Sequence, residues 1–184
     1  MTFTERMFRD TLGLFPTGVA VVTARGAEGT PQGVTINSFN SVSLEPPLIL
    51  FSLSRKLYSL NSFLKANAFA INFLREGQQD LSIRFNKALS NKWEQVPHKM
   101  GTTGAPVLSP ALAVLECSPY AHYDGGDHVI VVGRVEHIEC QECNAPLVFF
   151  RGRYHKITSA LDASMDKDPN FDNGTEMGAF LSES

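Results

Sequence analysis

Residues 33–54 read G-V-T-I-N-S-F-N-S-V-S-L-E-P-P-L-I-L-F-S-L-S, and this stretch decides the fold class. Within 34–44 the even positions are apolar and the odd positions polar, which is typical of a half-buried β-strand. The alternation inverts at 38–40, which indicates a bulge or a ligand-facing segment, with an ordinary irregular strand as the alternative. After two prolines, the apolar run 48–51 predicts a second, buried strand.

The segment that follows is rich in serine and contains two adjacent cations, Arg55 and Lys56. Ser59 is placed to cap a helix whose apolar face carries Leu60, Phe63 and Leu64. The free N–H groups at a helix start favour a bound phosphate, whereas the alternative is a solvated turn with a routine serine cap. Together with the strands, this segment predicts a site for a polar ligand that bears phosphate.

Composition limits the class of protein. The chain has 184 residues, of which 43% are hydrophobic and 19% charged, so we expect a single domain over 1–160 and a polar tail over 161–184. The 16 basic and 19 acidic residues are scattered, which argues against a nucleic-acid or anionic-membrane surface. No apolar run approaches the length of a membrane span and no signal core is present, so we expect a cytoplasmic protein.

The rest of the chain predicts a mostly β protein with flanking helices. Thr2 and Glu5 fit a capping box, and the helix predicted over 78–89 buries Leu81, Phe85 and Ala88. Residues 90–110 are expected to form a long excursion outside the core. Besides the helix capped by Ser59, the predicted helices are 3–14 and 78–89. The further predicted strands are 19–24, 68–74, 111–123, 129–140 and a short one within 146–156.

Several catalytic motifs are missing. Cys140 and Cys143 have C-x-x-C spacing, but no second ligand pair follows, so we assign them no chemistry and predict no metal site. No dinucleotide-binding glycine motif, P-loop, zinc-hydrolase helix or nucleophile elbow occurs in the sequence. His128 directly follows the predicted turn 124–127, where a lone histidine is usually a polar rim residue.

Six segments, taken in order, resemble the short-chain flavin reductases, the reductase components of two-component flavin-dependent monooxygenases. The resemblance runs from about residue 8 to about residue 157. It implies a homodimeric, FMN-binding split β-barrel of Greek-key type, with the flavin near the dimer interface. The segments are F-P-T-G-V (15–19), G-V-T-I-N-S-F-N-S-V-S-L-E-P-P-L (33–48), N-A-F-A-I-N-F-L (67–74), L-S-I-R-F-N (81–86), G-D-H-V-I-V-V-G-R-V (126–135) and P-L-V-F-F-R-G-R-Y (146–154).

The same resemblance implies roles for particular residues. The flavin ring edge would be met, largely through backbone groups, by Thr35, Ile36, Asn37 and Ser38. The ribityl and phosphate path would follow Ser52, Ser54 and Ser59, and the phosphate or an adenine would lie near Arg84 and Phe85. Ser41 and Leu53 complete the predicted cofactor-binding set. The nicotinamide side would be met by His128, the candidate catalytic residue, and by Arg153 and Tyr154. Arg55 and Lys56 stand where the family often has paired small hydroxyl residues.

The implied activity is hydride transfer from NADH or NADPH to FMN or FAD, after which the reduced flavin serves a partner oxygenase. In such enzymes the flavin supplies the chemistry and the protein positions it, which agrees with the missing catalytic motifs. Two alternatives remain open: a non-catalytic FMN or haem carrier on the same barrel, and an oxidase that retains its flavin throughout the cycle.

Overall fold

The structure is a computed structural model that describes residues 2–26, 29–88, 91–141 and 145–157. The predicted tail 161–184, Cys143 and Leu89 lie outside these residues. The described residues form three helices, α1 (Glu5–Leu12), α2 (Leu60–Leu64) and α3 (Gln79–Asn86). The strands are β1 (Thr17–Gly18), β2 (Ala20–Arg25), β3 (Pro31–Ile36), β4 (Asn40–Leu44), β5 (Pro47–Ser54), β6 (Phe69–Phe73), β7 (His98–Met100), β8 (Pro106–Leu108), β9 (Ala113–Gly125), β10 (His128–Cys140), β11 (Val148–Phe150) and β12 (Arg153–His155).

Seven of these strands form one antiparallel sheet in the order β3-β2-β6-β9-β10-β5-β4. A second sheet has the order β1-β11-β12, and β7 pairs with β8 alone. The predicted mostly β architecture with few helices is therefore confirmed. None of the helices in the described ranges is long and apolar enough to cross a membrane.

The two edge strands of the main sheet are joined by only three residues, 37–39. Four Cα steps from Ile36 to Asn40 span at most about 14 Å, so the sheet must curl until its edges come together. The prediction of one strand over 34–44 is wrong, because 37–39 leave the ladder and β3 and β4 pair with different neighbours. Val42 and Leu44 are exposed, because β4 is an edge strand and the face that carries these two side chains does not pack on the core of this chain.

The core lies inside the curled sheet. Residues 20–24 form part of the predicted strand and are all buried in β2, where Ala20, Val22 and Ala24 pack in one cluster with Phe51, Phe69 and Ile71. The rings of Phe51 and Phe69 meet edge to face with centroids 5.2 Å apart. Each such large apolar side chain contributes roughly 1.5–3 kcal/mol when it leaves water.

The helices differ from their predicted bounds. Thr4, and not Thr2, caps α1, because its hydroxyl oxygen accepts the Met7 N–H at 3.2 Å. No residue of α1 is buried, so its apolar side faces outward from this chain. In α3, Phe85 is buried but Ala88 is exposed, because the helix ends at Asn86 and Lys87 is extended.

The predicted excursion 90–110 contributes to the core, contrary to expectation. The hairpin of β7 and β8 buries Val107 and Leu108, and Glu116 of β9 tethers the turn between the two strands. Its buried carboxylate accepts the Thr102 N–H at 3.1 Å, and the N–H and hydroxyl of Thr103 at 2.7 Å each. Burial opposes ionisation of Glu116, but these bonds outweigh it and hold the pKa of the carboxyl below its usual value.

The predicted hairpin around 124–127 is confirmed, with β9 and β10 extending over 13 residues each. Gly126 turns the chain with a φ of 73°, a conformation that favours glycine. Because β10 also pairs with β5, the tip of this hairpin lies beside the end of β5. This arrangement brings the hairpin tip and the end of β5 to the same cleft.

Candidate functional site

A cleft of about 630 Å³ lies where the edges of the main sheet meet, and we call it the main cleft. Three segments form it: the end of β3 with 37–38, the end of β5 with the loop after it, and the tip of the β9–β10 hairpin. It brings together eight predicted site residues: Thr35, Ile36, Asn37, Ser38, Ser52, Leu53, Ser54 and His128. Further lining residues that the sequence did not single out are Val34, Lys56, Leu57, Asn86, Gly125 and Ile130.

Two of the predicted hydroxyl groups bond to the protein itself. Ser38 Oγ accepts the Ser52 N–H at 2.9 Å and donates to the Ser52 carbonyl oxygen at 3.3 Å. Thr35 Oγ1 donates to the Ser82 carbonyl oxygen at 2.7 Å and so holds β3 against α3. A ligand in the main cleft would therefore meet backbone groups of 35–38, together with the Asn37 amide, which has no hydrogen-bond partner among the described residues.

His128 begins β10 and lies opposite Ser54 in the sheet. Its Nδ1 lies 2.7 Å from Asp127 Oδ1, and because a carboxylate accepts, the ring donates from Nδ1 and directs Nε2 away from this bond. The hydrogen bond from His128 holds the pKa of Asp127 below its usual value. The pair can hold the imidazole in one orientation at the wall of the main cleft.

The two adjacent cations of the serine-rich loop have different roles. Arg55 ties the loop to the β9–β10 hairpin, with Nη2 2.6 Å from Asp124 Oδ1 and Nε donating to the Gly126 carbonyl oxygen at 2.8 Å. Lys56 lines the main cleft, and its ammonium group has no hydrogen-bond or salt-bridge partner among the described residues. The sequence did not indicate that the two cations have different roles. The direction of the Arg55 side chain depends on bonds to residues 69 and 71 positions later in the chain.

A second cavity of about 590 Å³ continues from the main cleft, and we call it the lysine cavity. It shares Lys56 and Asn86 with the main cleft and is also lined by Tyr58, Ser59 and Phe85, with Lys87, Lys92 and Trp93. Ser59 stands at the N-cap position of α2, as predicted, but its hydroxyl makes no capping bond. Lys92 Nζ donates to the Phe85 carbonyl oxygen at 3.1 Å, and burial lowers its pKa.

A glycine fixes how closely β3 approaches α3 beside this cavity. A Cβ at Gly33 would overlap the Phe85 ring, so any side chain at this position would push β3 away from α3. Phe85 itself is fully buried and its ring packs edge to face on Trp93, with centroids 5.0 Å apart. Phe85 therefore forms part of one wall of the lysine cavity.

The other predicted residues lie outside the main cleft. Ser41 is exposed on β4, and Arg84 Nη1 donates to the Glu94 carbonyl oxygen at 2.7 Å. Arg153 is exposed on β12. Tyr154 lines a smaller cavity of about 180 Å³ that shares Asn37 with the main cleft, and its hydroxyl lies 2.9 Å from Ser82 Oγ.

One group of potential metal ligands lies elsewhere, on β9 and β10. Ligating atoms of Glu116, His137 and Glu139 lie within 4.8 Å of one another. Both carboxylates already bond to protein donors, Glu116 to the β7–β8 turn and Glu139 to Lys99 Nζ at 2.9 Å. We assign this group no function.

Comparison with known proteins decides the family. The sequence profile described as "Flavin reductase like domain" matches residues 12–158. The chain belongs to the flavin reductase-like family. This flavin reductase-like chain is 40% identical over 154 residues to "FMN reductase (NADH) SmoA" of Agrobacterium fabrum, covering 84% of its own length and 87% of that relative. The predicted family is thereby confirmed, and with it the class of flavin oxidoreductase.

Two further similarities concern length and structure. The chain is 43% identical over 152 residues to a Rhizobium meliloti protein described as "Probable flavin reductase", and it spans 49% of that relative and 83% of itself. The solved structure of the styrene monooxygenase flavin reductase from Pseudomonas putida superimposes with a TM-score of 0.76 at 32% identity, covering 83% of this chain and 97% of that one.

Proposed function

We propose that this flavin reductase-like chain transfers hydride from NADH or NADPH to FMN or FAD. The observation that carries the proposal is the main cleft, in which backbone of 35–38 faces Ser52, Ser54 and the unpaired Lys56. A planar ring system that is edged by hydrogen-bonding groups and linked to a phosphate needs this combination of polar backbone, apolar wall and one cation. The names of the relatives support the same assignment.

The residues present fit a flavin. The wall residues Val34, Ile36 and Ile130 offer apolar contact to a ring, and the unpartnered Asn37 amide offers both a donor and an acceptor. Ser52, Leu53 and Ser54 lead along β5 toward Lys56, so we place the phosphate near Lys56. An FAD would extend from there into the lysine cavity, past Ser59 and Phe85.

When bound, the flavin supplies the group that accepts and releases the hydride. The protein's part is to bind and orient, since Lys56 and His128 are the titratable side chains that line the main cleft within the described ranges. His128, oriented by Asp127, would contact the nicotinamide nucleotide. The chain of bonds from Thr35 through Ser82 to Tyr154 would fix the opposite wall, with Arg153 beside it.

The family membership also supports a proposal for the barrel type and for a homodimer. The curled sheet would be a split β-barrel of Greek-key type, and two copies would associate through apolar surface that one chain leaves exposed, including Met7 and Phe8 of α1 and Leu44 of β4. A partner oxygenase would receive the reduced flavin, as the name of the styrene monooxygenase reductase suggests.

Oxidation of NADH by the purified protein tests the function, followed at the nicotinamide absorbance band with and without added FMN or FAD. We expect oxidation to rise with added free flavin, because flavin would be a substrate that leaves after each turnover. A repeat with NADPH identifies the preferred nucleotide. Flavin binding without oxidation of either nucleotide would contradict the proposal and indicate a carrier, and activity without exchange of the bound flavin would indicate an oxidase.

A further inference from the structure

Two further unpaired cations line a cavity of about 560 Å³ that lies away from the main cleft. Three segments form this cavity: the end of β2, the connection from α2 to β6, and the turn between β7 and β8. We call it the Arg25–Lys65 cavity after its two cations. It shares no lining residue with the main cleft or the lysine cavity, so a ligand held here would be separate from the flavin.

The charge of the Arg25–Lys65 cavity has one sign. Neither the Arg25 guanidinium nor the Lys65 ammonium group has a hydrogen-bond or salt-bridge partner among the described residues. No residue that lines the cavity is acidic, although the chain has 19 acidic and 16 basic residues. By contrast, the exposed cations Arg55, Lys99 and Lys156 each contact a carboxylate. Two cations in one recess without a counter-charge attract an anion.

Internal bonds fix the backbone around this cavity. Thr103 lines it from the β7–β8 turn, and its N–H and hydroxyl each donate to Glu116 at 2.7 Å. Glu116 does not itself line the cavity. A Cβ at Gly29 would lie 2.7 Å from Arg25 Nη2, so the glycine leaves room for the guanidinium beside the turn after β2. The recess is therefore formed before any ligand arrives.

The neutral groups of the cavity indicate what else the anion carries. The side chains of Asn61, Ser62 and Asn67 line it and have no hydrogen-bond partner among the described residues. Amide and hydroxyl groups can both donate and accept, which matches the hydroxyl groups of a ligand. The apolar side chains of the lining are those of Ala66 and Ala68, so a flavin, nicotinamide or nucleotide base would find no aromatic ring to stack on.

We propose that the Arg25–Lys65 cavity binds a sugar phosphate, that is, a phosphate monoester of a small polyhydroxylated compound. Arginine and lysine both bind phosphate, the first through its planar fork and the second as a point charge. The ligand's hydroxyl groups would bond to Asn61, Ser62 and Asn67. A volume of about 560 Å³ exceeds the need of inorganic phosphate and has room for a sugar ring as well. No residue of the main cleft takes part, so the proposal does not depend on the reductase function.

Calorimetric titration of the purified protein with glucose 6-phosphate, inorganic phosphate and glucose tests the proposal. We expect glucose 6-phosphate to bind, inorganic phosphate to bind about tenfold more weakly, and glucose not to bind. Arg25→Gln and Lys65→Met should each raise the Kd for glucose 6-phosphate about tenfold, because each removes a charge-assisted bond. Arg25→Lys, which keeps the charge, should raise it less. Lys56→Met, which removes the cation of the main cleft, is the matched control and should leave this Kd unchanged.

Absence of glucose 6-phosphate binding, or binding that Arg25→Gln and Lys65→Met leave unchanged, would overturn the proposal. Competition by FMN, or loss of binding in Lys56→Met, would also overturn it, because the sugar phosphate would then occupy the main cleft. Equal affinity for inorganic phosphate, or tighter binding of AMP than of glucose 6-phosphate, would contradict the assignment to a sugar phosphate. Thermal unfolding without ligand checks the variants, and Arg25 and Lys65 are both exposed, so we expect an unchanged Tm. If Arg25→Gln does not fold, Lys65→Met and Arg25→Lys decide the outcome.

Discussion

Ser38 Oγ and the backbone of Ser52 exchange two hydrogen bonds, one at 2.9 Å and one at 3.3 Å. Ser38 lies in the three-residue connection between the opposite edges of the main sheet, and Ser52 lies near the end of β5. Both residues line the main cleft, so the pair holds the connection 37–39 against β5 at the wall of the cleft. In the proposed function, the Ser38 hydroxyl would affect flavin binding through the backbone that it holds in place.

Replacing Ser38 with alanine should lower both stability and flavin affinity. The Ser52 N–H would lose its acceptor in a partly buried position, which costs about 1–2 kcal/mol. Urea unfolding measures the stability, and quenching of flavin fluorescence measures the affinity. Ser43→Ala on β4 is the matched control, and an equal effect of both substitutions would contradict the special role of Ser38.

Lys56→Met should weaken binding of FMN about tenfold, or about 1.4 kcal/mol, while leaving riboflavin binding nearly unchanged. The reason is that Lys56 is the unpaired cation of the main cleft and riboflavin has no phosphate. Fluorescence titrations with the two flavins measure this difference. Lys65→Met, which removes a lysine from a separate cavity, is the control, and equal weakening of both flavins by Lys56→Met would place the phosphate elsewhere.

His128→Ala should impair use of the nicotinamide nucleotide much more than flavin binding. His128 lies at the cleft wall and Asp127 holds its orientation through a 2.7 Å bond. We expect the KM for NADH to rise at least fivefold with a small change in the Kd for FMN. Asp127→Asn should give a smaller change in the same direction. Parallel loss of both affinities in His128→Ala would remove His128 from the nicotinamide side.

Glu116→Gln should destabilise the fold at neutral pH by about 1.5–3 kcal/mol, because an amide nitrogen would face the N–H groups of Thr102 and Thr103. The folded-state pKa of Glu116 lies below its value in the unfolded chain. The stability that this carboxylate adds is therefore present above the unfolded value of 4.5 and is lost as the pH falls through the folded value. Urea unfolding from pH 7 down to pH 3 should show the difference between the two proteins narrowing once the pH falls below about 4.5. A constant difference would contradict this role.

Much of the architecture was predictable because it is encoded locally. The β-branched run 20–24 and the long alternating segments around Gly126 each specify a strand or hairpin by their own pattern. The cap of α1 was misplaced by two residues, since Thr2 and Thr4 both precede a helical pattern and only the backbone at Thr4 supplies the capping geometry.

Eight of the predicted site residues also lie together, because the resemblance located them at or beside the ends of three strands, β3, β5 and β10, which meet at the main cleft. Contacts between distant segments escaped prediction. The pattern did not reveal that Glu116 holds the β7–β8 turn, or that Arg55 bonds to the β9–β10 hairpin whereas Lys56 lines the main cleft. Each of these depends on a residue at least 13 positions away, for which a local pattern contains no signal.

By itself, the sequence determined the mostly β class, the family and most of the strands, and it predicted a ligand site in the segment from Gly33 to Ser62. Only the tertiary structure decided that 37–39 cross between opposite edges of one sheet, and that the Thr17 hydroxyl is buried without a hydrogen-bond partner among the described residues. The physical reason is that hydrophobic periodicity records which face of an element is buried. It does not record which distant backbone groups satisfy a hydroxyl or a cation, because those partners are set by how the sheet curls.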